Sequence, residues 1–339
     1  MLISICMVAY NEEKCISSIL NDILGQTYSH SDTEIVIVDN NSTDQTYNIL
    51  LKFRDEHIRE YRDIKILKNN DRMQSSGLNM AIDAFSGDVF VRVDAHATID
   101  SRFIEETVAC LEGTHTGIKE YVCGGVRPTY TDREGGAAAL LLTAEQSRFG
   151  ASAANYRGEP ERCYVDSIFH AAYRREVIEK VGKFDPRLWR TEDNNYNYRV
   201  REAGYRICFE PRIRSGQQIR SSLSKMLRQK YQNGYWIGYT LGICPKCLSL
   251  FHFVPFAFVG AVAVTSILSV FGYPLLGALM WGAYAAASIA ASVMAAAGQK
   301  KLYAHYLLLP FVFLLMHICY GAGTFVGIAK MLFSKKTLE

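Results

Sequence analysis

The chain has 339 residues, 21% of them charged, and a formal net charge of +3. That length allows one full-size domain with an appendage. Mild basicity, with no basic run interleaved with aromatics, gives no sign of a nucleic-acid partner. Nine cysteines without a paired framework fit a reducing compartment rather than a disulfide scaffold. The average composition hides a split. No Asp, Glu, Lys or Arg occurs from Leu248 to Gly298, and none from Leu302 to Ala329. A mixed domain is therefore expected first and a membrane region after it.

Ile3 to Val8 reads as a strand. It is not an export signal, because no basic residue precedes it and Asn11-Glu12-Glu13 follows at once. The domain is therefore expected in the cytosol. Glu12 to Leu24 carries Ile16, Ile19, Leu20 and Ile23 at helical spacing. Glu34 to Asp39 is an apolar run ending in an acid, as in a buried parallel strand. Ser42 or Thr43 can cap a helix running to about Ile58. Ile64 to Leu67 predicts a strand, Ser75 to Phe85 a helix, Asp88 to Asp94 a strand and Ser101 to Leu111 a helix. This alternation argues for a doubly wound sheet covered on both faces, an α/β fold. In such sheets ligands bind beyond the carboxyl ends of the strands. Asp39 and Asp94 both end strands and are predicted to share one crevice.

Beyond Val122 the pattern is mixed. Helices are expected at Ala137 to Ala144, Arg174 to Val181 and Thr191 to Ala203, the last with Gly204 as its C′ glycine. Ser147 to Pro160 reads as a long loop. Ser222 to Tyr239 predicts a basic amphipathic helix, lying in a bilayer interface or on the domain surface. The apolar tail fits three spans, near 249–270, 274–297 and 302–329. Lys300-Lys301 marks a cytosolic connection, yet Lys330, Lys335 and Lys336 lie at an end that three spans would place outside. The expected organisation is a catalytic domain at 1–220, an interfacial helix at 221–247 and a membrane region at 248–339. Cys244-Pro-Lys-Cys247 lacks the second pair that a metal site of that spacing would have.

Three sets of residues carry chemistry. The first joins Val8-Ala-Tyr-Asn-Glu-Glu13 to Val38-Asp-Asn-Asn-Ser-Thr-Asp44. Tyr10, Glu12 and Asp39 can give a nucleotide base flat contact and hydrogen-bond partners. Taken singly, Asn11 and Ser42 also fit as helix caps. The second is Gly87 to Ala97, in which Asp94 and His96 stand two residues apart and can point to one side. A carboxylate and an imidazole suit Mn²⁺ or Mg²⁺ bridging the phosphates of a leaving group. The third is Phe184-Asp-Pro-Arg-Leu-Trp-Arg-Thr-Glu192-Asp193, opening a helix. A carboxylate there is expected to stay ionised in the helix dipole, fit to act as a base. It equally fits a Thr191 cap with two acids complementing that dipole.

In this order and spacing the three sets resemble the family 2 glycosyltransferases of the GT-A fold, over about residues 1–240. They resemble in particular the succinoglycan-type glucosyltransferase branch, which shares the Asp-Ala-His in place of the family's Asp-x-Asp. The resemblance implies a doubly wound, Rossmann-like mixed sheet followed by transmembrane helices. It implies a metal-dependent inverting transferase, with Asp193 as catalytic base and Glu192 beside it in the acceptor pocket. Ala9, Tyr10, Glu12, Asp39, Asn41, Asp94 and Gly125 would bind the nucleotide-sugar, with Asp94 and His96 as metal ligands. Gly125 can admit a sugar to the backbone or simply form a tight turn. His170 stands where the branch leads one to expect glycine.

Arg148, Arg157, Arg228, Gln229 and Trp236 are candidates for acceptor or diphosphate contact. The last three lie where processive synthases carry a Gln-x-x-Arg-Trp motif, which is not literally present, and they equally fit interfacial anchoring. The partners implied are a UDP-sugar donor, a polyprenyl-diphosphate-linked saccharide acceptor, the lipid bilayer of the inner membrane and other polysaccharide-assembly enzymes. The alternatives are a processive polysaccharide synthase and a catalytically silent nucleotide-sugar-binding membrane subunit. A nucleotidyltransferase would need a glycine-rich, lysine-bearing phosphate loop, which is missing.

Overall fold

The computed structural model describes residues 1–150, 161–220 and 222–335. In chain order its elements are β1 (Ile3–Ala9), α1 (Ile16–Leu24), β2 (Thr33–Asp39), α2 (Thr46–His57), β3 (Asp63–Lys68), α3 (Gln74–Ala84), β4 (Val89–Asp94), β5 (Ala97–Ile99) and α4 (Phe103–Glu112). There follow β6 (Val122–Val126), β7 (Thr129–Tyr130), α5 (Gly136–Gln146), β8 (Cys163–Val165), β9 (Ala172–Arg174), α6 (Arg175–Val181), α7 (Glu192–Glu202) and β10 (Ile207–Gln218). The last are α8 (Leu223–Thr240), α9 (Val254–Val270), α10 (Pro274–Ala297) and α11 (Leu309–Lys335). Two compact units result, one of Met1–Pro128 with Asn155–Gln217, the other of Thr129–Ala154 with Gln218–Glu339. Of the residues expected in the catalytic domain, 129–150 group with the second unit by their contacts.

The first unit is built on a mixed sheet of order β3-β2-β1-β4-β9-β6-β10-β5. β3, β2, β1 and β4 run parallel, and β9 is antiparallel to both β4 and β6. All seven residues of β1 and all seven of β2 are buried, which is why these strands read as continuous apolar runs rather than alternating ones. Ile16, Ile19, Leu20 and Ile23 bury one face of α1 against the sheet. That helix starts four residues later than its spacing predicts. Glu12 O accepts the backbone N–H of both Cys15 and Ile16, so Glu12 to Cys15 is spent on a turn.

The strands β5 to β10 were not anticipated from the sequence, and β9 and β10 show why. β9 is three residues long, too short to show a period. β10 contains Pro211 and three arginine or glutamate residues, and its pairing with β6 shifts register between Phe209 and Arg214. Such an irregularity breaks the period-two pattern on which a strand is recognised.

In the second unit, three helices are long and apolar enough to cross a membrane, spanning Leu250–Val270, Pro274–Ala297 and Ala304–Phe333. α8 lies against α11 at backbone contact. A Cβ on Gly323 would stand 2.1 Å from Tyr231 O, and one on Gly327 2.0 Å from Tyr235 O. Lys230, which contributes to the basic pattern of α8, is buried and pairs with Glu145 of α5 at 2.9 Å. All nine cysteines carry free thiols.

Candidate active site

The strand register brings the first two motif sets together. Ala9 pairs with Asp39 across β1 and β2, and Val8 with Asp94 across β1 and β4. The two acids therefore stand at the same end of the sheet, on the strands either side of β1. The turns beyond these strands brace each other. Asn11 N donates to Ser42 Oγ at 3.0 Å, and Asn11 Oδ1 accepts from Thr43 N at 2.8 Å. Neither residue caps its own helix, as each fits when taken alone. The start of α2 is satisfied by Asp44, which accepts from Thr46 N at 3.0 Å and Thr46 Oγ1 at 2.6 Å. Asn11, Asn41 and Arg72 each follow one of the strands β1, β2 and β3 and each has a left-handed backbone, φ +54°, +59° and +55°. Strain of this kind in successive strand ends is a mark of a ligand site.

Asp39 is fully buried. Its Oδ2 accepts from Ser42 N at 3.1 Å, while Oδ1 has no partner among the described residues, an acceptor suited to an incoming N–H or O–H. Tyr10 is 41% exposed, with the Arg72 guanidinium 5.8 Å from its ring centre. Ala9 is buried and its carbonyl accepts from Asn40 N at 2.8 Å. Glu12 meets His96, Oε1 to Nδ1 3.0 Å. Gly125 lies within β6, where a Cβ would come within 1.9 Å of Ile213 O and 2.6 Å of Glu210 O. The close approach that demands glycine is made there by β10, and the position is a strand rather than a turn.

Arg92 joins the second motif set to the third. On β4 its side chain is 10% exposed, and its Nη2 lies 3.4 Å from Asp94 Oδ1 and 3.1 Å from Glu192 Oε1. Glu192 and Asp193 open α7, both buried. The loop before them is pinned by Asn79, whose amide donates to Phe184 O at 2.9 Å and accepts from Phe184 N at 2.8 Å. The Phe184 ring stacks on Tyr196 of α7 at 4.1 Å. Thr191 occupies the N-cap position without a side-chain capping bond.

Burial opposes the shift expected from the helix dipole. It raises both Glu192 and Asp193; Arg92 opposes the rise in each, and the Asp193 charge adds to that of Glu192, which is pushed up to about 8. Desolvation outweighs the dipole because the carboxylates are enclosed rather than solvated at the helix end. Burial also disfavours the Asp94 anion, yet its carboxyl is held well below the usual range, because Arg92, His170 and His96 all favour the anion. Burial lowers His170 against the pull of Asp94.

Among the described residues no three His, Cys, Asp or Glu side chains are gathered as a metal-binding group. Asp94 and His96 offer one oxygen and one nitrogen ligand, with side chains 16% and 29% exposed. So sparse a set fits Mg²⁺ or Mn²⁺, which keep water and take further ligands from substrate phosphates. Arg148 and Arg228 are exposed, Gln229 is half-buried, and half-buried Trp236 packs edge-on to Tyr235 and Tyr239. All four belong to the second unit. Arg157 lies outside the described residues.

The family model described as Glycosyl transferase family 2 matches residues 4–182. The chain belongs to this family. It is 26% identical over 297 residues to the succinoglycan biosynthesis protein ExoA of Rhizobium meliloti, covering 85% of this chain and 84% of that one. It is also 26% identical over 238 residues to a dolichyl N-acetyl-alpha-D-glucosaminyl phosphate 3-beta-D-2,3-diacetamido-2,3-dideoxy-beta-D-glucuronosyltransferase of Methanococcus voltae, covering 68% and 71%. Among solved structures, the mannosyltransferase PcManGT from Pyrobaculum calidifontis, in complex with GDP-Man and Mn²⁺, matches with a TM-score of 0.63 at 18% identity, covering 98% of this chain and 87% of that one. The first unit is thus a GT-A glycosyltransferase domain, and three apolar helices follow it.

Three charged or polar residues around these carboxylates were not among the sequence candidates: Arg92, Arg127 and His170, the last marked only as standing where glycine is expected. Arg127 is buried, its guanidinium 3.6 Å from the Phe169 ring centre, and its charge lowers the proton affinity of Asp193. Arg92 had a readable signal, a single charge inside the apolar strand Val89-Phe-Val-Arg-Val. A charge in a buried strand must be paired. Nothing local marked Arg127.

Proposed function

We propose that this protein is a metal-dependent inverting glycosyltransferase. It moves a sugar from a nucleotide-sugar, of the UDP type, to a lipid-linked saccharide in cell-surface polysaccharide synthesis. The observation that carries this reading is the Arg92 bridge. One buried guanidinium serves both the strand-end acid expected at the donor diphosphate and the carboxylate pair expected at the acceptor.

Tyr10 and Asp39 take the nucleotide base and ribose, with Oδ1 of Asp39 accepting a donor that the protein itself leaves unmet. Ala9, Glu12 and Asn41 line the same strand ends. A divalent cation held by Asp94 and His96 would offset the negative charge that develops on the departing diphosphate. Asp193 accepts the proton of the acceptor hydroxyl as that oxygen attacks the anomeric carbon. The bond from this carbon to the diphosphate oxygen breaks with inversion, and no covalent sugar–enzyme intermediate forms. The raised affinity of Asp193 for a proton suits this task, since a base works best with a pKa near the operating pH. Glu192 stands beside it and shares the charge of Arg92.

The relative from Methanococcus voltae has a dolichyl phosphate-linked sugar in its name, and three apolar helices follow the catalytic unit here. Both support an acceptor resident in a bilayer, a polyprenyl-diphosphate saccharide, with the catalytic unit on the cytosolic side of the inner membrane. The test is a donor screen on purified protein, measuring nucleoside diphosphate release with lipid-linked acceptors and Mn²⁺ or Mg²⁺. Release that requires both the acceptor and the cation supports the reading. UDP binding without transfer from any pair would favour a silent binding subunit, and a long polymer product a processive synthase.

A further inference from the structure

The backbone at His170 is left-handed, φ +45°, a conformation natural for glycine and costly for a residue with a Cβ. Glycine is the residue that the sequence resemblance leads one to expect there. The ring of this histidine, 3% exposed, is enclosed between two polar partners. Nδ1 lies 2.9 Å from Ser215 Oγ, and Nε2 lies 3.4 Å from Asp94 Oδ2, without hydrogen-bond geometry to any group. Ser215 Oγ has the Val126 carbonyl as a second acceptor at 3.4 Å. The shorter contact assigns the hydroxyl proton to Nδ1 and leaves Nε2–H facing the carboxylate.

We infer that His170 is a positioning residue for Asp94. Arg92 holds one oxygen of that carboxylate and His170 restrains the other, with Ser215 setting the rotation of the ring. A carboxylate with a guanidinium against one oxygen and an imidazole N–H facing the other is biased to one orientation toward the donor diphosphate. The inference rests on the proposed donor role of Asp94.

The experiment measures UDP affinity in the presence of Mn²⁺ by calorimetry on the full-length protein. It compares His170→Gly, His170→Gln, Ser215→Ala, Asp94→Asn and the double variant Asp94→Asn/His170→Gly. His170→Gly suits the backbone and should fold. It is expected to weaken UDP binding about 10- to 100-fold, with partial recovery in His170→Gln, whose amide can reach the same oxygen. In the Asp94→Asn background the glycine change should cost nothing further. Affinity within twofold of the parent in His170→Gly, or the same loss in both backgrounds, overturns the inference. If His170→Gly does not fold, Ser215→Ala decides: a several-fold weakening supports the assignment and an unchanged affinity overturns it. Full affinity and transfer in Asp94→Asn alone would instead overturn the donor-site reading, a separable result.

Discussion

The guanidinium of Arg92 meets the carboxylate of Glu192 at 3.1 Å, across 100 residues of sequence. Because the same nitrogen lies 3.4 Å from Asp94 Oδ1, the end of β4 and the start of α7 share one buried cation. Asp94 and Glu192 contact it and Asp193 feels its charge, so the protonation of all three and the stability of the unit are linked through it.

Arg92→Ala should therefore be far more damaging than loss of a surface charge. Removing one partner of a buried pair leaves uncompensated charge and costs about 3–5 kcal/mol. Arg92→Lys should recover part of the stability but not both contacts, since one ammonium lacks the guanidinium's planar fork. Thermal unfolding of the detergent-solubilised protein checks the order. Equal melting temperatures for Arg92→Ala and the parent would show the bridge to be incidental.

Asp193→Asn preserves shape and removes the proposed base. Turnover should fall about 10²- to 10⁴-fold, with the affinity for UDP nearly unchanged. Glu192→Gln, which is expected to spare the proton transfer itself, should lose much less. Nucleoside diphosphate release under saturating donor and acceptor separates the two. If Glu192→Gln proves the more severe, the roles of the pair are reversed.

The pH dependence has a definite sign. Glu192 and Asp193 have folded pKa values above their unfolded ones. Their contribution to stability is fully present below the unfolded carboxylate range and is lost as pH rises through the folded values, near pH 8 for Glu192. Asp94, held low, acts oppositely: its contribution is present above the unfolded value and lost in strong acid. Glu192→Gln should therefore flatten the loss of stability between about pH 5 and 8. The Asp193 charge adds to the rise of Glu192, so Asp193→Asn should bring the Glu192 titration down and lessen the same loss. Urea midpoints across that range check both, and a loss as steep as the parent's in both variants would deny the linkage.

Packing of α8 on α11 depends on glycines with no room for a methyl group. Gly323→Ala would set its Cβ 2.1 Å from Tyr231 O, so the helix backbones must separate, at a cost of about 1–3 kcal/mol. At Gly260 in α9 an added methyl group would meet nothing within 4 Å, so Gly260→Ala should be neutral. Melting of both variants in the same detergent tests this. Equal behaviour would mean that the contact does not persist in solution.

Much of this was legible in local pattern. Continuous apolar runs gave β1 and β2, helical spacing gave the buried face of α1, and Gly204, φ +89°, follows the end of α7 as its composition predicts. Positions such as β9 and β10 were not legible, because a three-residue strand and a proline-containing, register-shifted one carry no period. The direction of the Asp193 shift was not legible either: burial raises its pKa where the dipole alone would lower it. The dipole of a helix start is a local property, whereas the burial that overrides it comes from distant segments.

By itself the sequence determined which residues end strands and open helices, and so that Asp39 and Asp94 end parallel strands while Glu192 and Asp193 open a helix. Tertiary structure decided what those carboxylates face. Arg92, His170 and Ser215 come from β4, the turn before β9 and β10, and only the sheet order brings them to Asp94. Proton affinity and side-chain orientation depend on charges and solvent within a few ångströms, and those neighbours are set by folding rather than by adjacency in the chain.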